Sequence, residues 1–325
     1  MKRLFLFAAK VAISALLFYL SLRLVNLNAL QERLNRIEPP WIVAMLLGLG
    51  VQIGLASLRW QRIAGACGVA IKFKKALHYT LIGAFFNQAL PSTVGGDAAR
   101  IWLVARDADG WKGAVSSVLI DRASGLIWLA LLVLLCLPWS LALIQNPIGR
   151  TALILIGIGS VAGPLALFAI TRVGRIWLDR WRPTRQLAEL AETAWKVLAS
   201  ASIGIAVAAL SISVQLLTVL VAWFAAKAIG SSVSLLHSLL LIPPVILIAA
   251  IPVSIAGWGV REGAMVAAFT FAGLSDTDAL AISVLFGAGL FAIGAIGAIG
   301  GLVWIFGGER VRIAAPANGA PPGAP

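Results

Sequence analysis

Six charged side chains interrupt apolar stretches of this sequence: Asp97 with Arg100, Asp121 with Arg122, and Arg261 with Glu262. Asp97 and Arg100 are three residues apart, a spacing that puts both on one face of a helix. Asp121 and Arg122 are adjacent; neighbours on a helix diverge by about 100°, so each needs a further partner. The chemistry that suits such residues is anion binding. A helix start offers amide donors and the positive end of the dipole, and a guanidinium presents a planar fork to a phosphate. The sequence therefore marks Arg100, Arg122 and Arg261 as anion-binding groups. Asp97, Asp121 and Glu262 are their counter-charges, one of them a candidate proton carrier. Arg122 is expected to meet Asp97 or a ligand, and Asp121 to meet Arg100 or Arg261. The competing reading is a hairpin stabilised by its own Asp and Arg.

The segment that holds the first pair recurs. Pro91-Ser92-Thr93-Val94-Gly95-Gly96-Asp97-Ala98-Ala99-Arg100 is repeated in degraded form as Pro252-Val253-Ser254-Ile255-Ala256-Gly257-Trp258-Gly259-Val260-Arg261. Proline lacks a donor and glycine accepts the dihedrals of a tight reversal. Gly95, Gly96, Gly257 and Gly259 thus join the candidate site as turn-formers, and Asp97 is placed to cap the helix that follows. Paired interruptions in corresponding halves of a membrane chain point to a transport site.

Positioning these residues falls to apolar helices. With 60% hydrophobic and 12% charged residues in 325, and a mean hydropathy of +0.96, the chain has too little polar surface for a soluble globule. Segments 4–25, 41–58, 113–137, 151–171, 201–226 and 279–305 approach or exceed the roughly 20 residues a spanning helix needs. Asp121 and Arg122 lie some eight residues into 113–137, roughly 12 Å along the axis at ~1.5 Å per residue, where charges face a protein interior or a wet cavity. Lysine and arginine crowd the loops 59–76 and 172–200 and are sparse or balanced in 26–40 and 138–149, which puts the N-terminus in the cytoplasm. The net charge of +13 is a topology signal, spread over several loops, and does not indicate a nucleic-acid partner.

These sidedness assignments require 77–106 to enter and return on the cytoplasmic side and 235–272 to do so on the outer side. An offset of 161 residues, Pro91 to Pro252, carries 41–58 and 113–137 onto later spans of opposite direction. The expected fold is an all-α polytopic membrane protein. It has six transmembrane helices plus two opposed re-entrant hairpins in an inverted repeat, 1–140 followed by 148–308, with a disordered tail over 309–325.

Leu90 to Arg100, Asp121-Arg122-Ala123-Ser124-Gly125-Leu126, and Pro252 to Gly263 resemble the three signature blocks of the lysylphosphatidylglycerol synthase transmembrane-region family. The resemblance covers about 1–308. It implies a multi-pass bacterial inner-membrane protein that moves lipids or helps to make them, in the manner of the flippase half of the multiple peptide resistance factor; with the N-terminus already assigned by its loops, Arg310 and Arg312 put the C-terminus in the cytoplasm as well. Its partners would be membrane lipids with an anionic or phosphate-bearing headgroup; a homo-oligomer is left open. Because the Ala/Pro/Gly tail has no resemblance to a soluble aminoacyl-transferase domain, aminoacyl transfer is not expected, and no cofactor is implied.

Two other readings compete with a lipid carrier. Some relatives are described as polyprenyl-phosphate sugar synthases, and Asp107-Ala108-Asp109 has the D-x-D pattern that holds Mg²⁺; its flanking Arg106 and Lys112 favour ordinary loop charge. Asp276-Thr277-Asp278 reads as a helix start. A scaffold would use small-residue pairs such as Gly159 with Gly163 and Gly297 with Gly301 for close helix contact. The amphipathic 173–200, with Trp177, Trp181 and Trp195, is expected along the cytoplasmic lipid surface. Cys67 and Cys136 make neither a disulfide framework nor a metal site, and His78 and His237 read as interfacial.

Overall fold

The computed structural model describes residues 27–89, 95–107, 110–178, 182–251 and 257–313, with isolated positions between 12 and 25. These residues form eleven helices and no strand: α1 (Leu27–Asn35), α2 (Pro39–Ala66), α3 (Phe73–Ala89), α4 (Gly95–Asp107), α5 (Trp111–Leu143), α6 (Pro147–Leu178), α7 (Arg182–Ala199), α8 (Ala201–Ala228), α9 (Leu235–Ala249), α10 (Val260–Phe271) and α11 (Asp276–Ile313). Four are long and apolar enough to cross a membrane: α2, α5, α8 and the Asp276–Ile299 part of α11. The expected span 151–171 lies within the 32-residue α6; 4–25 lies largely outside the described residues.

Several boundaries move. The helix α2 continues to Ala66, so Arg59 and Arg62, counted above as loop charges, are helical. Trp60, Ile63 and Ala64 are fully buried, which keeps the apolar period going past the charge. The outer loop expected at 138–149 shrinks to 144–146, and α11 runs to Ile313, past the expected start of the tail at 309. Residues 314–325 lie outside the described ones. The amphipathic α7 turns Ala194 and Val197 toward Ile63 of α2, Ile120 of α5 and Val207 of α8, and Ala191 is buried as well. Its apolar face therefore rests on protein, with Trp195 exposed.

Two long helices make the spine. Pro39 and Pro40 start α2, where a missing N–H costs nothing. Trp41 at that start contacts Trp223 and Phe224 near the end of α8. Further along, Gln52 donates to Thr218 at 2.6 Å, and Arg59 donates to Ser211 at 3.2 Å. Numbers rise on α2 as they fall on α8, so the pair is antiparallel. Gly48 lets them close, since a Cβ there would lie 2.9 Å from Val221.

Two short-limbed hairpins pack on this spine. In the first, α3 and α4 are antiparallel: Lys75 and Tyr79 meet Asp107 at the base, and Asn87 meets Gly96 near the tip. The approach is close, because a Cβ on Gly96 would sit 1.9 Å from the Gly83 carbonyl oxygen. In the second, α9 starts with Ser234 accepting from the His237 amide at 3.1 Å and continues through Pro243 and Pro244. Pro244 has no N–H for the Leu240 carbonyl four residues back; the Ser140 hydroxyl of α5 donates to that carbonyl at 3.1 Å instead. Such outside partners let proline persist in membrane helices. The reversal leads into α10 through Gly257 and Gly259, at φ 78° and 83°. Each hairpin's first limb also packs on a span from the other half of the chain: α3 on α11 and α9 on α5. The tip residues 90–94 and 252–256 lie outside the described residues.

Candidate functional site

The charges singled out in the sequence come together as one network and one separate pair. In the network, Asp121 of α5 accepts from Arg59 of α2 at 2.8 Å on one oxygen and from Arg100 of α4 at 3.0 Å on the other. Arg122 donates to Asp97 at 2.5 Å. Asp97 and Arg100 face each other at 3.6 Å, and this is the loosest link: Asp97 Oδ1 and Arg100 Nε have no protein hydrogen-bond partner. The Arg100 guanidinium lies 4.1 Å from the Trp60 ring centroid, a cation–π contact that favours the charge in a dry setting. Glycine makes the room. A Cβ on Gly83 would lie 2.9 Å from the Arg100 stem, and one on Gly125 would lie 3.4 Å from the Arg59 guanidinium.

Among the described residues, three guanidinium groups thus face two carboxylates, one positive charge in excess. Arg59, Asp97, Arg100 and Asp121 are buried. The Arg122 side chain is 44% exposed, so the network reaches the surface there. Each of these four buried members is hard to remove, because breaking a buried partnership leaves an uncompensated charge at a cost of about 3–5 kcal/mol.

The second constellation is closed. Arg261 pairs with Glu262 at 2.7 Å, and Ser283 of α11 bridges them, accepting from Arg261 at 3.1 Å and donating to Glu262 at 3.0 Å. The other Glu262 oxygen accepts from the Gly259 amide at 2.6 Å. Arg261 and Glu262 are 3% and 0% exposed. Gly287 admits the arginine, since a Cβ there would be 2.2 Å from its guanidinium. The two hairpins meet near their tips, where Trp258 donates to Gln88 at 3.3 Å.

Arg122 meets Asp97 and Asp121 meets Arg100, as the sequence led one to expect. Arg261 does not join them, because Glu262 and Ser283 satisfy it. Among the described residues no helix-start amide donates to Asp97: its side chain meets Arg122, and the Gly96 amide donates to Asn87 at 2.9 Å. With Gly259 served by Glu262, an amide at each helix start is already taken. Gly95 opens α4. Arg59, Trp60, Ser211 and Ser283 are members that sequence reasoning missed. The signal for Arg59 was available in the apolar period of Trp60, Ile63 and Ala64 beyond it.

Asp107, at the base of the first hairpin, is held by Lys75 at 2.8 Å and by the Tyr79 hydroxyl. Partial burial pushes its carboxyl up, but these two hydrogen bonds and the Lys75 and Arg106 charges outweigh burial and hold it below the usual carboxylate range. Ala108 and Asp109 lie outside the described residues. Asp276 starts α11 as expected, and Asp278 is paired with Arg33 of α1 at 3.0 Å. Among the described residues, no group of three or more His, Cys, Asp or Glu is gathered for a metal ion.

No curated protein matches the chain. The family model described as the lysylphosphatidylglycerol synthase TM region matches residues 7–298, a stretch that contains α2, α5, α8, the first part of α11, both hairpins and every member of the buried network. This multi-pass membrane protein belongs to the lysylphosphatidylglycerol synthase transmembrane-region family.

Proposed function

We propose that the protein is a bacterial inner-membrane flippase or carrier of a phospholipid-like substrate, and not an enzyme. The observation that carries this reading is the net positive charge of the network among the described residues, together with its one partly exposed member, Arg122. A lipid phosphate with one negative charge balances that excess. It competes with Asp97 for Arg122, and the released Asp97 has Arg100 beside it on the same helix face, whose Nε lacks an acceptor. One ion pair is exchanged for another, so no charge is stranded at any stage. Arg100, Asp121 and the tip glycines Gly95, Gly96, Gly257 and Gly259 shape the site, while Arg261 and Glu262 hold the opposing tip in place.

The topology proposed with this function has six spans and two opposed re-entrant hairpins, 77–106 and 235–272, in an inverted repeat of 1–140 and 148–308. Three packing relations support it: the antiparallel α2 and α8, the exchange of hairpin limbs in which α3 lies on α11 and α9 on α5, and the meeting of Gln88 with Trp258. In this topology both termini are cytoplasmic, a reading supported by the basic residues of 172–200.

The test is headgroup translocation in vesicles reconstituted with the full chain and a fluorescent-headgroup phosphatidylglycerol, followed with an impermeant quencher. Arg122→Gln removes a charged fork contact worth about 1.5–3 kcal/mol, so translocation falls tenfold or more at roughly 1.4 kcal/mol per decade, while the protein still inserts. Wild-type rates for this variant would sink the proposal.

A further inference from the structure

Between α5, α6 and the end of α9 the protein leaves a cleft of about 680 Å³, within the roughly 300–1,000 Å³ of small-molecule sites. Leu126 and Ala130 of α5, Leu155 and Gly159 of α6, Ile248 of α9 and Ile251 just beyond it form its walls. Its one polar side chain, Ser160, donates to the Ile156 carbonyl of its own helix at 2.8 Å. The cleft therefore offers nothing to a headgroup or to ordered water, which needs two to four polar partners.

Two observations separate this cleft from an ordinary irregularity in a lipid-facing surface. The first concerns glycine. Gly159 and Gly163 have the spacing of a helix-packing pair, yet a Cβ on either would meet nothing within 4 Å; they widen the cleft and join no helix to another. Where α11 lies on α3 in the other half, glycine does the opposite. A Cβ on Gly297 would lie 2.5 Å from Leu81, and one on Gly294 would lie 3.0 Å from the Phe85 amide nitrogen, so that seam is sealed. The second concerns charge. The wall residue Leu126 lies one turn after Arg122 on the same face of α5, and the far wall reaches Ala250 and Ile251 at the approach to the second tip. An apolar slot thus opens beside the exposed end of the network that carries one excess positive charge.

We propose that this cleft holds one hydrocarbon chain of an anionic lipid whose phosphate pairs with Arg122. The proposal rests on the carrier reading above and adds to it the chain's path. The charge complementarity at the cleft mouth selects a lipid with a single negative charge over a zwitterion, and the sealed α3 and α11 seam leaves this side as the chain's route.

The experiment uses the full chain in vesicles doped with phosphatidylglycerol, or with phosphatidylcholine, bearing a photoactivatable group on one acyl chain. In the wild type, the phosphatidylglycerol probe labels peptides spanning 123–130 and 155–163 about tenfold more than the exposed lipid face of α2 at Val43, Leu47 and Val51, and more than the phosphatidylcholine probe does. The double variant Gly159→Leu with Gly163→Leu fills open space, so it keeps the wild-type melting temperature in detergent. It loses both the labelling and, by about tenfold, headgroup translocation. Uniform labelling of all lipid-facing helices, equal labelling by the two probes, or wild-type translocation by the filled variant would each overturn the cleft proposal and leave the carrier intact. Selective labelling without translocation by the wild type would leave the cleft assigned and refute the carrier.

Discussion

In the first hairpin Asp97 and Arg100 reach across to α5, whereas in the second Arg261 and Glu262 close on each other and on Ser283 of α11. The offset of 161 residues aligns Arg100 with Arg261, but it puts Trp258 in the place of Asp97 and Ser283 in the place of Arg122. The second half has thus exchanged an ion pair for neutral groups, one donating to Gln88 and the other serving Arg261. A repeated motif thus forms a charge network across helices in one copy and a closed, serine-bridged pair in the other. The difference follows from which residues face the motif from the neighbouring span.

The largest expected effect tests that difference. Asp121→Asn strands Arg59 and Arg100 together and costs about 3–5 kcal/mol, which shows as lost monodisperse protein or a large drop in melting temperature in detergent. Glu262→Gln strands one guanidinium that keeps Ser283, so its loss is smaller. A Glu262→Gln protein less stable than Asp121→Asn would show that the second site, not the first, anchors the core.

Much of this arrangement is legible in the amino-acid sequence. The Asp97–Arg122 and Asp121–Arg100 pairings follow from helix geometry and from the rule that membrane-depth charges find partners. Arg59 is not legible by hydropathy alone, because a charge at the end of an apolar run reads as a loop boundary. The brace at Arg261 is hidden because its partner Glu262 is adjacent in sequence, where side chains normally diverge; here Ser283 bridges the two. Glycine dihedrals lead one to expect a reversal in both copies, yet of the four tip glycines only Gly257 and Gly259 have positive φ. Gly96 is required for contact, which no sequence pattern reveals.

That contrast between the glycines gives the second prediction. Gly96→Ala drives a Cβ to 1.9 Å from a backbone oxygen, parting the limbs at an overpacking cost of about 1–3 kcal/mol. Gly257→Ala has space, with its nearest neighbour at 3.4 Å, and costs about 1–2 kcal/mol for left-handed backbone. Asparagine tolerates that region, so Gly257→Asn recovers much of the loss and Gly96→Asn none. Equal recovery at both sites by thermal unfolding would erase the distinction.

A smaller effect tests how the second hairpin keeps a helix through two prolines. Ser140→Ala deprives the Leu240 carbonyl of its substitute donor, at about 1–3 kcal/mol for a stranded buried group. In a Pro244→Ala background the returning backbone N–H takes that carbonyl, and the same Ser140→Ala change becomes nearly silent. A double-mutant cycle in detergent reads the coupling; additive losses would mean the hydroxyl acts only on its own helix.

The smallest effect belongs to the base of the first hairpin, where Lys75 and Tyr79 hold Asp107. Its carboxyl lies below the usual 3.8, so its contribution is present above that unfolded value and is lost as pH falls through the lower folded one. Because the group is partly exposed, Asp107→Asn changes stability by only about 0–1 kcal/mol at neutral pH, and the difference from wild type vanishes in stronger acid. The same variant separates the two functional classes the sequence allowed. A carrier that works through Arg122 does not need this carboxylate, and headgroup translocation by Asp107→Asn stays near the wild-type rate. A transferase holding a divalent ion through a D-x-D pair needs both of its carboxylates. If Asp107→Asn abolished function while Arg122→Gln left it intact, the network at the hairpin tips would be structural and the chemistry would lie at the hairpin base.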